Sequence, residues 1–159
     1  MSDPQKAVSR AMNGLENLVQ NIGNLGDTML EIADEGVDIV KSEMERYNIP
    51  TTGDLGNSIK ATKVDAMTAQ LEADGGHATF VEYGTGIVGA NSPHPEAAED
   101  SVVYDRNNHG ESGWTYPKDG RFYHTKGQPS RPFMLSARSK IAKRGKTLVV
   151  NKLKESHND

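Results

Sequence analysis

Residues 59–83 read IKATKVDAMTAQLEADGGHATFVEY. Ile59 to Val64 and Met67 to Ala73 are two short runs set around a tight turn at Asp65-Ala66. Ala78, Phe80 and Glu82 alternate with Thr79, Val81 and Tyr83 after the Gly75-Gly76 turn, which predicts a third strand. The gaps between runs are far shorter than the dozen or so residues that a parallel crossover needs. The stretch therefore predicts an antiparallel meander, and Phe122 to Thr125 offers a fourth short strand.

Upstream, Met29, Ile32, Ala33, Gly36, Ile39, Val40, Met44 and Tyr47 recur at three- and four-residue steps. That spacing predicts a helix over 27–47, capped by Asp27 and stopped by Pro50. Gly36 on the apolar stripe offers a place for another backbone to come close. Between the helix and the first strand, Leu55 and Ile59 mark a short helical turn in a turn-rich connector. Residues 1–26 are polar, with Val8, Met12, Leu15, Leu18, Val19, Ile22 and Leu25 at helical spacing. Asp3 could cap that segment and Pro4 suits its first turn, but Gly14, Gly23 and Gly26 each weaken it by roughly 1 kcal/mol. It reads as a weak helix, frayed or partner-stabilised.

Downstream, residues 84–126 are rich in Gly, Pro, Asn and His and predict a long irregular loop, with a helical turn at Glu96–Ser101. Pro132 then opens a last helix from about Phe133, with Ala137, Ile141 and Leu148 on its apolar side. The predicted class is α+β. An antiparallel meander of three to four strands carries the long N-terminal helix and the C-terminal helix on one face. The organisation is a polar extension at 1–26, a single domain at 27–154 and a short tail at 155–159.

Composition narrows the function. The 159 residues carry a net charge of −4, with no cysteine, 16 Gly and 7 Pro against 3 Phe and 1 Trp. The absence of Cys excludes disulfides, thiolate zinc sites and a Cys nucleophile. The acidic balance disfavours a general grip on nucleic acid. No apolar run is long enough for a membrane span, and Met1-Ser2-Asp3-Pro4 does not open like a secretory leader. Mean hydropathy is −0.66, polar for a free-standing globule, which predicts loops and partner-dependent surface.

Chemical motifs are weak. Gly84-Thr85-Gly86-Ile87-Val88-Gly89 matches the G-x-G-x-x-G spacing, yet it follows a meander, and Ala90-Asn91-Ser92-Pro93 does not continue into the long helix a dinucleotide needs. His77, His94, His109, His124 and His157 show no metal-ligand spacing and read as isolated polar loop residues. No serine sits in a nucleophile elbow. The chain reads as a non-enzyme without cofactor or metal.

Charge is more informative. Asp27, Glu31, Asp34, Glu35, Asp38, Glu43 and Glu45 face only Lys41 along the first strong helix. Arg131, Arg138, Lys140, Lys143, Arg144, Lys146, Lys152 and Lys154 contain no acid among them. The two helices could pair within a protomer, pair head to tail between protomers, or remain solvated. The basic helix alone could touch DNA.

Three segments, in this order, resemble a known family. They are Thr52-Gly53-Asp54-Leu55-Gly56-Asn57-Ser58-Ile59, Ala78-Thr79-Phe80-Val81-Glu82-Tyr83-Gly84-Thr85-Gly86, and Gly127-Gln128-Pro129-Ser130-Arg131-Pro132-Phe133-Met134. Over roughly residues 28–145 the chain resembles the head-tail joining, or tail-completion, neck proteins of HK-type long-tailed siphophages. Trp114-Thr115-Tyr116-Pro117 and Tyr123-His124-Thr125-Lys126 are similar to a loop of the branch found in phages of Gram-positive hosts. The long 84–126 excursion and the N-terminal extension depart from the commoner pattern.

The resemblance implies a structural virion protein. Copies would form a ring, hexameric or dodecameric, at the head-tail junction. The ring would complete the tail and join it to the capsid connector, with neck, connector, tail-tube or tail-terminator proteins as neighbours. DNA would pass through the lumen as cargo, with no membrane involved. The protein would be made in the host cytoplasm and end in the virion. A tail terminator or a minor capsid-associated protein is the alternative, and a nucleic-acid-binding module a more distant one.

The motif residues implied are Thr52, Gly53, Leu55, Ser58, Glu82, Tyr83, Gly84, Thr85, Gly86, Pro129, Arg131, Pro132 and Phe133. Physically, Leu55 is a buried anchor in a turn and Ser58 bonds locally. Glu82 either caps backbone amides or pairs with a basic residue, for which Arg131 is the candidate. Candidate interface residues are Trp114 and Tyr116, together with Arg138, Lys140 and Arg144 against Glu31, Asp34, Glu35 and Asp38.

Overall fold

A computed structural model describes residues 4–74, 76–98 and 112–155. Along them run helix α1 (Pro4–Arg46), helix α2 (Gly53–Ser58), strands β1 (Ile59–Lys63) and β2 (Ala69–Ala73), helices α3 (Ala78–Tyr83) and α4 (Gly86–Asn91), strands β3 (Trp114–Lys118) and β4 (Arg121–Thr125), and helix α5 (Phe133–Glu155). The expected Asp3 cap, His109, His157 and the tail beyond residue 155 lie outside the described residues, as does the end of the turn expected at Glu96–Ser101. The class is α+β, with the long N-terminal helix and the C-terminal helix as expected. The strands form two two-stranded sheets, β1-β2 and β3-β4, in place of one meander. The chain divides into two compact units.

The first unit holds α1 up to Ile39, the hairpin Lys60–Glu72 and α5 from Ser139. The hairpin turns where the sequence predicts: Val64 and Asp65 donate their amides to the Thr68 carbonyl, and the Asp65 carboxylate accepts the Met67 amide at 2.7 Å. Gly36 of α1 is a contact point. A Cβ there would lie 2.7 Å from Leu71 Cδ1 of β2 and 3.3 Å from Ile141 Cδ1 of α5. Gly145 of α5 does the same for Ile32, whose Cγ2 would be 3.0 Å away. Gly36 meets Ile141 and Ile32 meets Gly145, so α1 and α5 run antiparallel and approach closely through their small residues.

The opposed charge blocks pair along that seam. Arg144 Nε donates to Glu35 at 2.6 Å and its Nη2 to the other oxygen at 3.3 Å, while Lys152 lies 3.7 Å from Glu31. Of the arrangements open from sequence, pairing within the protomer is realised at these residues. Asp27 was expected as a helix cap, but α1 is one helix of 43 residues and Asp27 lies inside it, bonded to Lys63 at 2.6 Å. The three glycines lower helix propensity without stopping the helix.

The second unit holds Val40–Ile59 and Ala73–Arg138. Its core is Val40, Met44, Ile49, Ile59, Ala78, Phe133 and Ala137, each under a tenth exposed. α1 ends in a Schellman closure: Asn48 takes a left-handed conformation (φ 54°), its amide bonds to the Glu45 carbonyl, and the Ile49 amide reaches the Met44 carbonyl at 2.8 Å. Ile49 and Met44 are both buried, supplying the apolar contact that accompanies this motif. Glu43 is buried as well, and Arg46 covers it at 2.6 Å while donating to Ser136 and lying 4.4 Å over the Tyr47 ring. These bonds to Glu43 and Tyr47 raise the Arg46 pKa, the Glu43 bond most.

Two expectations fail here for identifiable reasons. The alternating run 78–83 is helix α3, not a third strand. In a strand Ala78, Phe80 and Glu82 would share a face; in the helix Ala78 and Glu82, four apart, face inward and Phe80 is 54% exposed. Within the expected loop, the described residues 84–98 and 112–126 hold α4 and the β3-β4 hairpin.

Candidate functional site

The second and third family-like segments meet, and Glu82 is their centre. It sits on the inner face of α3, with 7% of its surface exposed. One carboxylate oxygen accepts the Met134 amide at 2.9 Å and the other the Leu135 amide at 3.0 Å. These are orphan donors of the first turn of α5, where the helix dipole also favours negative charge. His94 Nε2 approaches Glu82 Oε1 at 3.2 Å, while His94 Nδ1 accepts the Glu96 amide at 3.1 Å. That second bond assigns the imidazole proton to Nε2, so the ring donates to Glu82. Tyr83 packs on the ring with centroids 4.4 Å apart. Of the two roles open to Glu82, capping is realised. Arg131 is not its partner: the Arg131 amide instead donates to the Val81 carbonyl at 3.0 Å.

The backbone closes the same junction. Thr85 and Gln128 exchange amide–carbonyl bonds at 2.9 and 3.2 Å, an isolated antiparallel bridge. Ser130 Oγ donates to the Glu82 carbonyl at 2.6 Å, and its amide to Ser92 at 3.1 Å. Gly127 has φ 99°, and a Cβ there would overlap the Thr85 carbonyl. A side chain at Gly84 would stand 2.6 Å from the Ser130 amide nitrogen. The glycines therefore let two backbones touch. Pro129 and Pro132 are half-buried and lead into Phe133, which is fully buried.

The glycine turn opens a six-residue helix, which the sequence reading did not foresee. Around its start, Thr85 donates to the Gln128 carbonyl, Val88 to that of Lys126 and Gly89 to that of Thr85. The protein's own carbonyls thus take several of the amides that a nucleotide loop would present to phosphate.

The first family-like segment forms α2. Ser58 Oγ donates to the Leu55 carbonyl at 2.7 Å, the local bond expected of it. Thr52 stands at the cap position without a side-chain cap bond, and Gly53 has φ 84°. Leu55 is half-buried, less than the anchor role requires; Gly56 is the buried residue, with no room for a Cβ beside Thr51.

The interface candidates separate. Arg144 and Glu35 pair within the chain, as do Lys152 and Glu31, and Arg138 reaches Glu96 at 3.4 Å. The bond to Glu35 raises the Arg144 pKa further. Asp34, Asp38 and Lys140 are exposed. Trp114 and Tyr116 lie on β3, whose register with β4 pairs Trp114 with Thr125, Tyr116 with Tyr123 and Lys118 with Arg121. Tyr116 and Tyr123 stack at 5.9 Å. His77, Phe80, Val81, Trp114, Tyr116 and Lys118 are among the residues lining an open groove of about 660 Å³.

Sequence reading missed the places of His94 and Phe80 and the strand β3; the short strand expected at Phe122 to Thr125 is β4, paired with β3. The hairpin had a signal in Asp119-Gly120, both at positive φ (51° and 72°), the dipeptide that favours a two-residue hairpin turn. His94 had none, because its partner Glu82 is distant in sequence and their spacing matches no motif. Among the described residues no group of three or more His, Asp or Glu is arranged to hold a metal ion, and no helix is long and apolar enough to cross a membrane. Glu82, the one buried carboxylate at the junction, has both oxygens engaged, so the arrangement acts as a latch. Compared with protein-family models, with curated proteins and with solved structures, the chain matches none.

Proposed function

We propose that this chain is a structural virion protein of a long-tailed bacteriophage, one subunit of a ring at the head-tail junction. Its work is binding: repeated contacts with copies of itself and with neck, connector and tail proteins, around a lumen through which DNA passes. The observation that carries the reading is the exposed apolar surface. Met12, Leu15, Val19, Val64, Met67, Phe80 and Phe122 are each more than half exposed. Such surface marks contact sites for other proteins when it gathers into patches. The family-like segments support it from the other side, because the two that meet are tied together as scaffold through Glu82, Thr85, Gln128 and Ser130.

The test is composition and position in particles. Heads and tails separated from particles encoding this chain are assayed by quantitative mass spectrometry, and intact particles are labelled with an antibody. The reading predicts a fixed small multiple of copies and label at the neck. Copies that stay wholly with the separated tails, or wholly with the capsid shell, select the terminator or capsid-associated alternative. Absence from the particle removes the structural reading.

A further inference from the structure

Two exposed apolar surfaces on this chain differ in shape. The first is the groove of the second unit, lined by Phe80 and Val81 of α3 and by Trp114, Tyr116 and Lys118 of β3, among others. Directly opposed residues in a hairpin share a face, so Tyr123 and Arg121 stand on the same face as Tyr116 and Lys118. Phe80 is 54% and Tyr116 39% exposed. Among the described residues, the titratable side chains lining the groove are Lys118, His77 and Tyr116, and none is a carboxylate.

The second surface is a row on α1. Met12, Leu15 and Val19 are 57%, 62% and 67% exposed. Spaced three and four apart, they stand on one side of the helix. The same seven-residue spacing leads from Met12 and Val19 to Gly26 and Ala33, which are buried. The stripe thus continues a contact surface past the point where the described residues cover it. Glu16 is the single charged residue between positions 11 and 26.

We propose that the α1 row of one copy docks in the aromatic groove of a second copy, with Glu16 beside Lys118. Helix-in-groove recognition uses this anchor spacing. The choice of a second copy rests on charge: the row's only charge is negative, and the groove's lining charges are cationic. Row and groove are different patches, so each copy gives one and receives one. Such a contact is head to tail and makes a ring when its rotation closes. The inference rests on the ring reading above and names its contact.

The test uses the full chain and two variants at exposed positions, Leu15→Asp and Tyr116→Asp, with circular dichroism and unfolding midpoints as folding controls. Sedimentation velocity over a concentration series gives the mass. Wild type should associate beyond a dimer, and each variant alone should remain a monomer. Mixed one to one, the variants should form a dimer that grows no further, since one intact row meets one intact groove. Glu16→Lys should weaken association about tenfold, and Lys118→Glu in the same chain should restore it.

Retention of wild-type mass by both variants overturns the inference while leaving a ring by other surfaces. Loss only in Leu15→Asp assigns row-to-row pairing and overturns it. A wild type that is monomeric at every concentration overturns it too, whereas labelling of particles decides the neck reading separately. A salt-sensitive shift of single-stranded DNA that Tyr116→Asp abolishes, with no change of mass, gives the groove to nucleic acid instead.

Discussion

Glu82 links α3, α4's flanking loop and the start of α5 through one carboxylate. Hydrogen bonds to a charged group contribute about 1.5–3 kcal/mol each, and Glu82 makes two to the α5 amides. Glu82→Ala should lower stability by about 3 kcal/mol in urea unfolding. Glu82→Gln should lose less, since one acceptor oxygen remains while its amide N–H turns toward a donor. An unchanged midpoint in the alanine variant would contradict the latch. Gly127 and Gly14 make opposite predictions for the same substitution. Gly127→Ala should cost more than about 2 kcal/mol, because φ is positive and the Thr85 carbonyl fills the space. Gly14→Ala should stabilise by up to about 1 kcal/mol, because Gly14 lies inside a helix with nothing near it. Thermal unfolding of the pair decides both. At this scale the sequence showed that Glu82 was either a cap or an ion-pair partner. It could not show which, because the choice depends on where the α5 amides lie in space.

Elements were legible where local pattern and tertiary demand agree. The β1-β2 hairpin and the start of α5 at Phe133 follow from turn residues and spacing. α3 was not legible, because Thr79, Phe80, Val81 and Tyr83 favour strands locally, whereas helical spacing is what turns Glu82 inward and Phe80 outward. The β3-β4 hairpin was hidden differently: its strand residues are almost all exposed, so they lack the alternation that a half-buried strand shows. Its Asp-Gly turn was the better guide. The β1-β2 tip carries its own prediction. The Met67 amide, then the Thr68 side chain, hold the Asp65 carboxyl below the ordinary aspartate pKa. Because the folded value is the lower one, the tip's contribution is present above the unfolded pKa and is lost as pH falls through the folded value. An NMR titration should show Asp65 titrating at lower pH than the free side chain. A titration at the ordinary aspartate value would mean that the turn bond is not formed.

At the scale of the whole chain, the net charge of −4 hides two opposed blocks. The contacts Glu35–Arg144 and Glu31–Lys152 neutralise part of each within the first unit. Exposed apolar side chains stand beside the charged ones: the α1 row, the hairpin tip at Val64 and Met67, and Phe80 and Tyr116 at the aromatic groove. The proposed ring role would account for that exposed apolar surface, since a ring subunit would complete its burial against neighbours. The sequence held this only as an excess of loop and a weak N-terminal helix; which side chains face outward required the fold. The most direct check of the central claim is immunogold electron microscopy of intact particles with an antibody to this chain, scored for position along the particle. The account predicts label confined to the head-tail junction, with a copy number that is a multiple of six. Particles that carry no label, with the chain left entirely in the soluble lysate, would contradict it.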